Sequence, residues 1–381
     1  MVNVIYYYPK RTGAPSKVAL SLFNAYLDIN KKIHFYIFQQ TFNDDLVDCT
    51  NTKNIERISL KKLLFEDGNY LVHFTLSPSI FPNKKFILYI ISLLKKNKII
   101  INYHGEPRTE FLIKVKNRDL NFCPYILNYI FLPFILKKAD KLIVNSYNMK
   151  SLFEQKYDLN NVLVIRNGIA SFWLDPLDNK NVDNINELDN MLSQTNLTIL
   201  YHGRLAPEKG IEVLLQGFAL FVKQCSARNE KCPINLILVG EGPLKDKMYS
   251  FCVDNMISQY VIFMGFISDI SLKYMLEKVD ATIYPSIYEP FSLAVLEALS
   301  TTNGPVIYAE NIGINDFAKK YNYELHTFKP TPEIIANEFS WILENQNNPE
   351  VIKLIKAQKE FSTIFSWNSV AKEYLELYNA V

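Results

Sequence analysis

Several things are scarce or missing in this 381-residue sequence, and each absence closes a class of function. Cysteine is sparse and poorly spaced. Cys49, Cys123, Cys225, Cys232 and Cys252 form no C-x-x-C pair, and their odd number leaves no closed disulfide framework. A structural metal centre and a disulfide scaffold are therefore not expected; buried thiols in a reducing compartment are. Long apolar runs are also missing. The longest, residues 86–94 and 125–136, fall short of the ~20 residues that cross a bilayer. The chain opens on an apolar run, residues 2–8, with no charged-then-apolar leader. The expected location is cytoplasmic, either free or peripheral at the inner face of the cell membrane. No one sign of charge dominates: 41 Lys and Arg stand against 39 Asp and Glu. No nucleic-acid partner is expected from that balance. A nucleotide P-loop, G-x-x-x-x-G-K-[ST], is absent, and V-G-E-G-P at 239–243 lacks the third glycine of a dinucleotide fingerprint.

What is present is an alternation of short β-branched runs with amphipathic stretches. Strands are expected at 2–8, 33–38, 70–74, 99–103, 141–145 and 162–165, and again at 197–201, 234–239, 260–263, 281–284 and 306–308. Helical patterns lie between them, as at 16–30 and 124–138. Strands apolar on both faces and separated by helices make a parallel sheet covered on both sides. The Asn- and Asp-rich segment 175–196 reads as a surface insertion or linker. The expectation is two doubly wound α/β domains, 1–170 and 171–364, with a last helix in 365–381. In such folds ligands sit at the carboxyl ends of the strands, so the loops there are the places to look.

The most informative loop is Y-P-S-I-Y-E-P-F-S-L-A-V-L-E-A-L-S, residues 284–300. It leaves a buried strand and enters a helix near Pro290 and Ser292, with Glu289 before the helix because a residue preceding proline avoids helical geometry. Glu297 lies on the helix. Unpaired amides at the helix start, backed by the dipole, favour an anion. A second loop, G-R-L-A-P-E-K-G at 203–210, places Arg204 and Lys209 between Gly203 and Gly210. Two cations there suit a diphosphate, the other reading being solvated surface charge. Other loops leave their readings open. The turn at Gly13, with Ser16 as a helix cap, either closes on itself or approaches a ligand. His104, in Y-H-G-E-P, either packs or hydrogen-bonds a sugar or phosphate oxygen, whereas His73 reads as structural. Asn145-Ser146 and Asn167-Gly168 are turn signals that can also touch ligand. Gly242 sits in a tight turn, and Gly265-Phe266 either forms a plain turn or receives a base edge.

Together these motifs resemble the retaining glycosyltransferases of family 4, which have the GT-B architecture of two Rossmann-like domains facing across a cleft. The resemblance runs through G-R-L-A-P-E-K-G, V-G-E-G-P, M-G-F at 264–266 and E-P-F-S-L-A-V-L-E-A at 289–298, the family's E-x7-E motif. Weaker echoes are V-H-F at 72–74, Y-H-G-E-P at 103–107, A-D-K-L-I-V-N-S at 139–146 and V-I-R-N-G-I at 164–169. F-S-W-N-S-V-A-K-E-Y at 365–374 is similar to a C-terminal helix that crosses back to the first domain.

The resemblance implies an acceptor-binding first domain, a nucleotide-sugar-binding second one and bacterial surface-polysaccharide work, as in lipopolysaccharide or capsule assembly. Arg204 and Lys209 would bind the donor diphosphate, and Glu297 the ribose. Glu289, with the amides of Phe291, Ser292 and Leu293, would hold the sugar, and His104 would reach it from the first domain. Gly13, Gly203, Gly242, Gly265 and Phe266 would complete the donor site. The reaction would move a hexose-type sugar from a nucleotide diphosphate to a hydroxyl of a glycan or lipid-linked glycan. It would retain configuration and need neither metal nor cofactor. Ser292 departs from the pattern, since many relatives have glycine there, and Ile312-Gly313 replaces a common Gly-Gly.

Three other classes share parts of this pattern. A hydrolase would pair its carboxyls at ~5–9.5 Å, whereas eight helical residues span about 12 Å. A catalytically silent partner or chaperone of another transferase, or a sugar-nucleotide epimerase, would share the architecture. Finally, residues 80–150 hold 13 Lys and Arg against 4 Asp and Glu. Lysines flank both apolar runs, which suits either an anionic membrane surface or core helices with solvated ends.

Overall fold

The computed structural model describes residues 2–8, 14–29, 33–39, 55–65, 68–78, 83–116, 123–177, 182–192, 196–346 and 348–381. The chain divides into two compact units, Met1–Gly168 with Phe365–Val381, and Ile169–Ile364.

The first unit is built on strands β1 (Asn3–Tyr8), β2 (His34–Gln39), β3 (Ile55–Arg57), β4 (Leu71–Phe74), β5 (Lys98–Asn102), β6 (Lys141–Val144) and β7 (Val162–Val164). All pair in parallel, in the order β3-β2-β1-β4-β5-β6-β7. Its helices are α1 (Ala14–Ile29), α2 (Leu60–Phe65), α3 (Lys84–Leu94), α4 (Pro107–Lys116), α5 (Cys123–Lys137) and α6 (Tyr147–Tyr157). Apart from the edge strand β3, the strands are largely buried on both faces. Ile99 and Ile101 point into a core shared with α2, α3, α5 and α6, while Ile100 joins the opposite core with α1. Alternate residues of a strand face opposite sides, so an all-apolar strand feeds two cores.

The second unit begins with α7 (Ser171–Leu174) and α8 (Ile185–Leu192). Strands β8 (Leu197–His202), β9 (Ile234–Val239), β10 (Val261–Gly265), β11 (Ala281–Tyr284), β12 (Val306–Ala309) and β13 (Thr327–Phe328) follow. They form a second parallel sheet, ordered β10-β9-β8-β11-β12-β13. Its helices are α9 (Ile211–Ala227), α10 (Lys245–Asp254), α11 (Asp269–Lys278), α12 (Leu293–Thr301), α13 (Asn315–Lys320), α14 (Pro332–Glu344) and α15 (Pro349–Thr363). The last helix, α16 (Trp367–Ala380), belongs to the first unit.

Two expectations from the sequence need correction. Segment 175–196 is no bare linker. It carries α8, whose Leu188 is buried, and Asp189 accepts a 2.5 Å hydrogen bond from Tyr274 on α11. The apolar positions 185, 188 and 192 keep helical spacing inside an otherwise polar composition, and that weak period was the missed signal. The short edge strands β3 and β13 were also missed. Three and two residues long, they are too short to show a period.

Helix α16 is held by both packing and polar bonds. Ser366 caps it, accepting from Ser369 N at 3.3 Å, and Val370, Ala371, Tyr374, Leu377 and Tyr378 are buried at helical spacing. The Trp367 ring lies against Gly168, where a Cβ would come within 2.4 Å of it. Within the core, the Tyr378 hydroxyl meets His73 Nδ1 at 2.5 Å and the Tyr26 hydroxyl at 2.8 Å. His73 Nε2 donates to Asn102 Oδ1 at 3.0 Å, and Asn102 Nδ2 donates to the Tyr374 hydroxyl at 2.9 Å. A neutral imidazole satisfies every bond in this set, with Tyr378 donating to Nδ1. Burial pushes the His73 pKa down to about 4, so it is neutral at ordinary pH.

Candidate functional site

In the second sheet β8 lies between β9 and β11, so successive crossovers depart from it in opposite directions. This is a topological switch point, and open α/β sheets take their ligands beside such a point at the carboxyl ends of the strands. The sequence places its most polar loops there.

After β8, residues Pro207–Lys209 form a single 3-10 turn that ends on Gly210, at φ 70°, and α9 starts at Ile211. A Cβ on Gly210 would stand 2.0 Å from the Pro285 carbonyl oxygen. Glycine here lets the β8 and β11 loops touch. Ile287 N and Tyr288 N both donate to the Glu208 carbonyl, at 2.9 and 3.1 Å, and join the two loops. Through this contact the Lys209 ammonium bonds the Glu289 carboxylate. Both side chains are mostly buried, and burial lowers the Lys209 pKa to about 8. Arg204 is the more open cation, with its side chain 59% exposed, and pairs with Glu208 at 2.9 Å.

The Glu289 loop is tied from its other side as well. Its carbonyl accepts from Gly313 N at 3.0 Å, and the Phe291 carbonyl accepts from Ile314 N at 3.1 Å. Ser292 then caps α12, its hydroxyl accepting from Val295 N at 3.3 Å, with φ 82° and ψ 101°. Such angles are rare for any residue but glycine, which explains physically why glycine would be at home here. Leu293 and Ala294 occupy the first turn of α12, where amides have no intrahelical acceptor.

Glu297 accepts from His202 Nε2 at 3.2 Å, and His202 Nδ1 lies 2.7 Å from the Tyr284 hydroxyl. An imidazole that donates through Nε2 accepts at Nδ1, so Tyr284 donates. Burial, helped by the Glu297 charge, keeps that hydroxyl protonated by raising its pKa well above the usual value. Sequence reasoning passed over His202 and Tyr284. The available signal was that both end strands, β8 and β11, which prove adjacent. Glu289 and Glu297 thus hold different partners, a lysine and a histidine.

The remaining glycines shape neighbouring turns. Gly203, at φ 148°, donates to the Val239 carbonyl at 2.9 Å, and Gly242 lies against the Leu205 backbone. Gly265 ends β10 and accepts from Gly240 N at 2.7 Å, followed by Phe266, which is exposed. Gly13 lies outside the described residues.

In the first unit, His104 follows β5, and its Nε2 donates to the Thr75 carbonyl at 3.2 Å. Burial lowers its pKa, leaving Nδ1 as an acceptor. Glu106 caps α4, accepting from Arg108 N at 3.1 Å and Thr109 N at 2.6 Å, and pairs with Lys156 at 2.9 Å. Glu110 is different: burial raises its pKa to about 7, with the Glu106 charge adding to the effect.

Comparison with known proteins gives relatives for the second unit and for the fold. Residues 186–360 match the family model described as "Glycosyl transferases group 1", so the second unit carries a glycosyltransferase group 1 domain. An uncharacterized glycosyltransferase of Methanocaldococcus jannaschii is 28% identical over 47% of this chain and 44% of its own length. The chain thus spans less than half of that relative. A lipopolysaccharide 1,2-N-acetylglucosaminetransferase of Salmonella typhimurium is 24% identical over 73% of this chain and 71% of its own length. Among solved structures, Anabaena HepE in complex with UDP and glucose superposes with a TM-score of 0.69 at 15% identity, over all of both chains. The fold is therefore that of the GT-B glycosyltransferases, two parallel-sheet α/β domains.

Proposed function

We propose that the chain is a retaining glycosyltransferase, which moves a hexose-type sugar from a nucleotide-diphosphate donor to a hydroxyl of a glycan or lipid-linked glycan. The observation that carries this reading is the Lys209–Glu289 pair at the switch point of the second sheet, beside the α12 amides and the Glu297–His202–Tyr284 chain. In the free protein Glu289 neutralises a buried ammonium. An arriving diphosphate takes over Lys209 and Arg204, and Glu289 turns to the sugar hydroxyls with the first-turn amides of α12. Glu297, oriented by His202, accepts from ribose hydroxyls.

The bond between the sugar C1 and the diphosphate oxygen breaks, and the acceptor oxygen bonds C1 from the same face. The acceptor proton passes to the leaving phosphate. Charge-assisted bonds to the departing diphosphate contribute ~1.5–3 kcal/mol each, and the two cations do this work without a metal. The product is part of a cell-surface polysaccharide. The HepE complex and the Salmonella relative support a nucleotide sugar and a surface glycan by likeness.

A panel of nucleotide sugars, followed by product analysis for released nucleotide and anomeric configuration, tests the reading. Lys209→Ala is expected to lower transfer by about 10- to 100-fold or more and Glu289→Ala to abolish it, both with circular dichroism unchanged. Undiminished turnover in both variants would remove the site assignment, and an inverted product would remove retention.

A further inference from the structure

Of the helices that cover one face of the first sheet, α2, α3 and α5 have unusual outer surfaces. Exposed residues form a single stripe along each: Lys61, Leu64 and Phe65 on α2; Lys84, Ile87, Ile90 and Leu94 on α3; Ile130, Phe131, Phe134 and Lys137 on α5. The spacings of three and four residues place each set on one side of its helix. Phe65, Leu94 and Phe134 are 79, 77 and 69% exposed, and the sequences of all three helices contain no Asp or Glu. The stripes are neighbours. Helix α2 packs on α3, and the Tyr89 hydroxyl of α3 donates to the Ile135 carbonyl of α5 at 3.2 Å. Inward residues of the same helices, among them Leu63, Leu88 and Leu136, join one core, so the outward apolar residues are surplus to folding.

We propose that this face docks on an anionic lipid bilayer, with Phe65, Leu94, Ile130, Phe131 and Phe134 entering the headgroup–acyl boundary. Charge complementarity selects that occupant. Lys61, Lys84, Lys96 and Lys138 are exposed at the helix ends, Lys137 pairs with Asp158 at 3.1 Å, and the helices themselves bring only positive charge, whereas a water-facing helix ordinarily mixes signs. Lysines near an anionic surface attract it electrostatically, and apolar insertion adds to the attachment. No helix among the described residues is long and apolar enough to cross a membrane, so the contact is interfacial. This inference stands apart from the transferase reading and is tested without turnover.

The full chain is sedimented with vesicles of phosphatidylcholine alone and of phosphatidylcholine with phosphatidylglycerol, at low and high salt. Pelleting with the anionic vesicles, weakened by salt, is the expected result. The combined variant Phe65→Ser, Leu94→Ser, Phe134→Ser should stay in the supernatant with unchanged circular dichroism. Lys84→Glu with Lys138→Glu should lower anionic-vesicle binding roughly tenfold or more and flatten its salt dependence. Failure to pellet with anionic vesicles at low salt would overturn the proposal. So would equal binding of the wild type and the serine variant. A dimer by light scattering that the serine substitutions dissociate, without vesicle binding, would assign the face to a second copy instead.

Discussion

Lys209 and Glu289 stand 80 residues apart in the chain and bond across two loops that leave neighbouring strands. Burial of the ammonium sets its pKa to about 8, close enough to working pH for the charge to be titrated. Lys209→Met is expected to lower kcat/KM for the nucleotide sugar by about 10- to 100-fold, the loss of one charge-assisted bond to phosphate. In the wild type, the donor KM should rise as pH passes upward through about 8, because the cation is lost. Steady-state kinetics between neutral and mildly alkaline pH checks both. A flat KM across that range would separate Lys209 from the phosphate.

His202 acts through Glu297 and is a positioning residue. His202→Phe should raise the donor KM about tenfold while kcat changes less, because the hydrogen bond that aims the carboxylate is lost. His202→Gln keeps a donor and should recover most of the affinity. A purely structural role would instead lower the thermal midpoint in both variants without separating KM from kcat.

Ser292 combines a helix cap with a backbone conformation that disfavours side chains. Ser292→Gly relieves strain of ~1–3 kcal/mol and sacrifices only a few tenths of a kcal/mol of capping, so the second unit should become more stable. Ser292→Ala keeps the strain and loses the cap, at a cost of about 1 kcal/mol. Denaturant titration of the two variants should therefore move the midpoint in opposite directions.

The buried network of the first unit gives a pH dependence of known sign. His73 has a folded pKa of about 4, below its free value, so its contribution is present above the free pKa and is lost as pH falls toward 4. Glu110 has a folded pKa of about 7, above its free value, so it works the other way: its contribution is lost as pH rises through about 7. The two oppose each other in the same mildly acidic window, where His104, also lowered, sides with His73. Glu110→Gln should therefore make stability climb more steeply from about pH 5 to pH 6.5, by up to ~1.4 kcal/mol per pH unit. Chemical denaturation at several pH values reads this slope. An unchanged slope would mean that Glu110 titrates normally in the folded state.

Tyr378→Phe leaves His73 Nδ1 and the Tyr26 hydroxyl without their shared partner. The expected loss is ~1–3 kcal/mol in the first unit, because buried polar groups are stranded. Faster proteolysis at the C-terminal helix, compared with wild type, would report the same loosening of α16.

What the sequence determined by itself was set by local periods and local chemistry. Runs such as I-N-L-I-L-V at β9 are apolar on both faces and can only be interior parallel strands, so two doubly wound units were legible. Ser292 before an apolar stretch marks a helix entry, and it caps α12. The weak period of α8, inside a polar segment, did not stand out because only tertiary contact with α11 makes Leu188 a core residue.

Tertiary structure decided the rest, because pairing depends on strand order, which no local period encodes. The parallel crossover that sets β11 beside β8 brings Lys209 to Glu289 and turns His202 from one more strand residue into the partner of Glu297. It also decided which side of each helix stays outside. Residues 86–94 and 125–136 are apolar nearly all round, and only packing on the sheet shows that Leu94 and Phe134 face outward beside lysines.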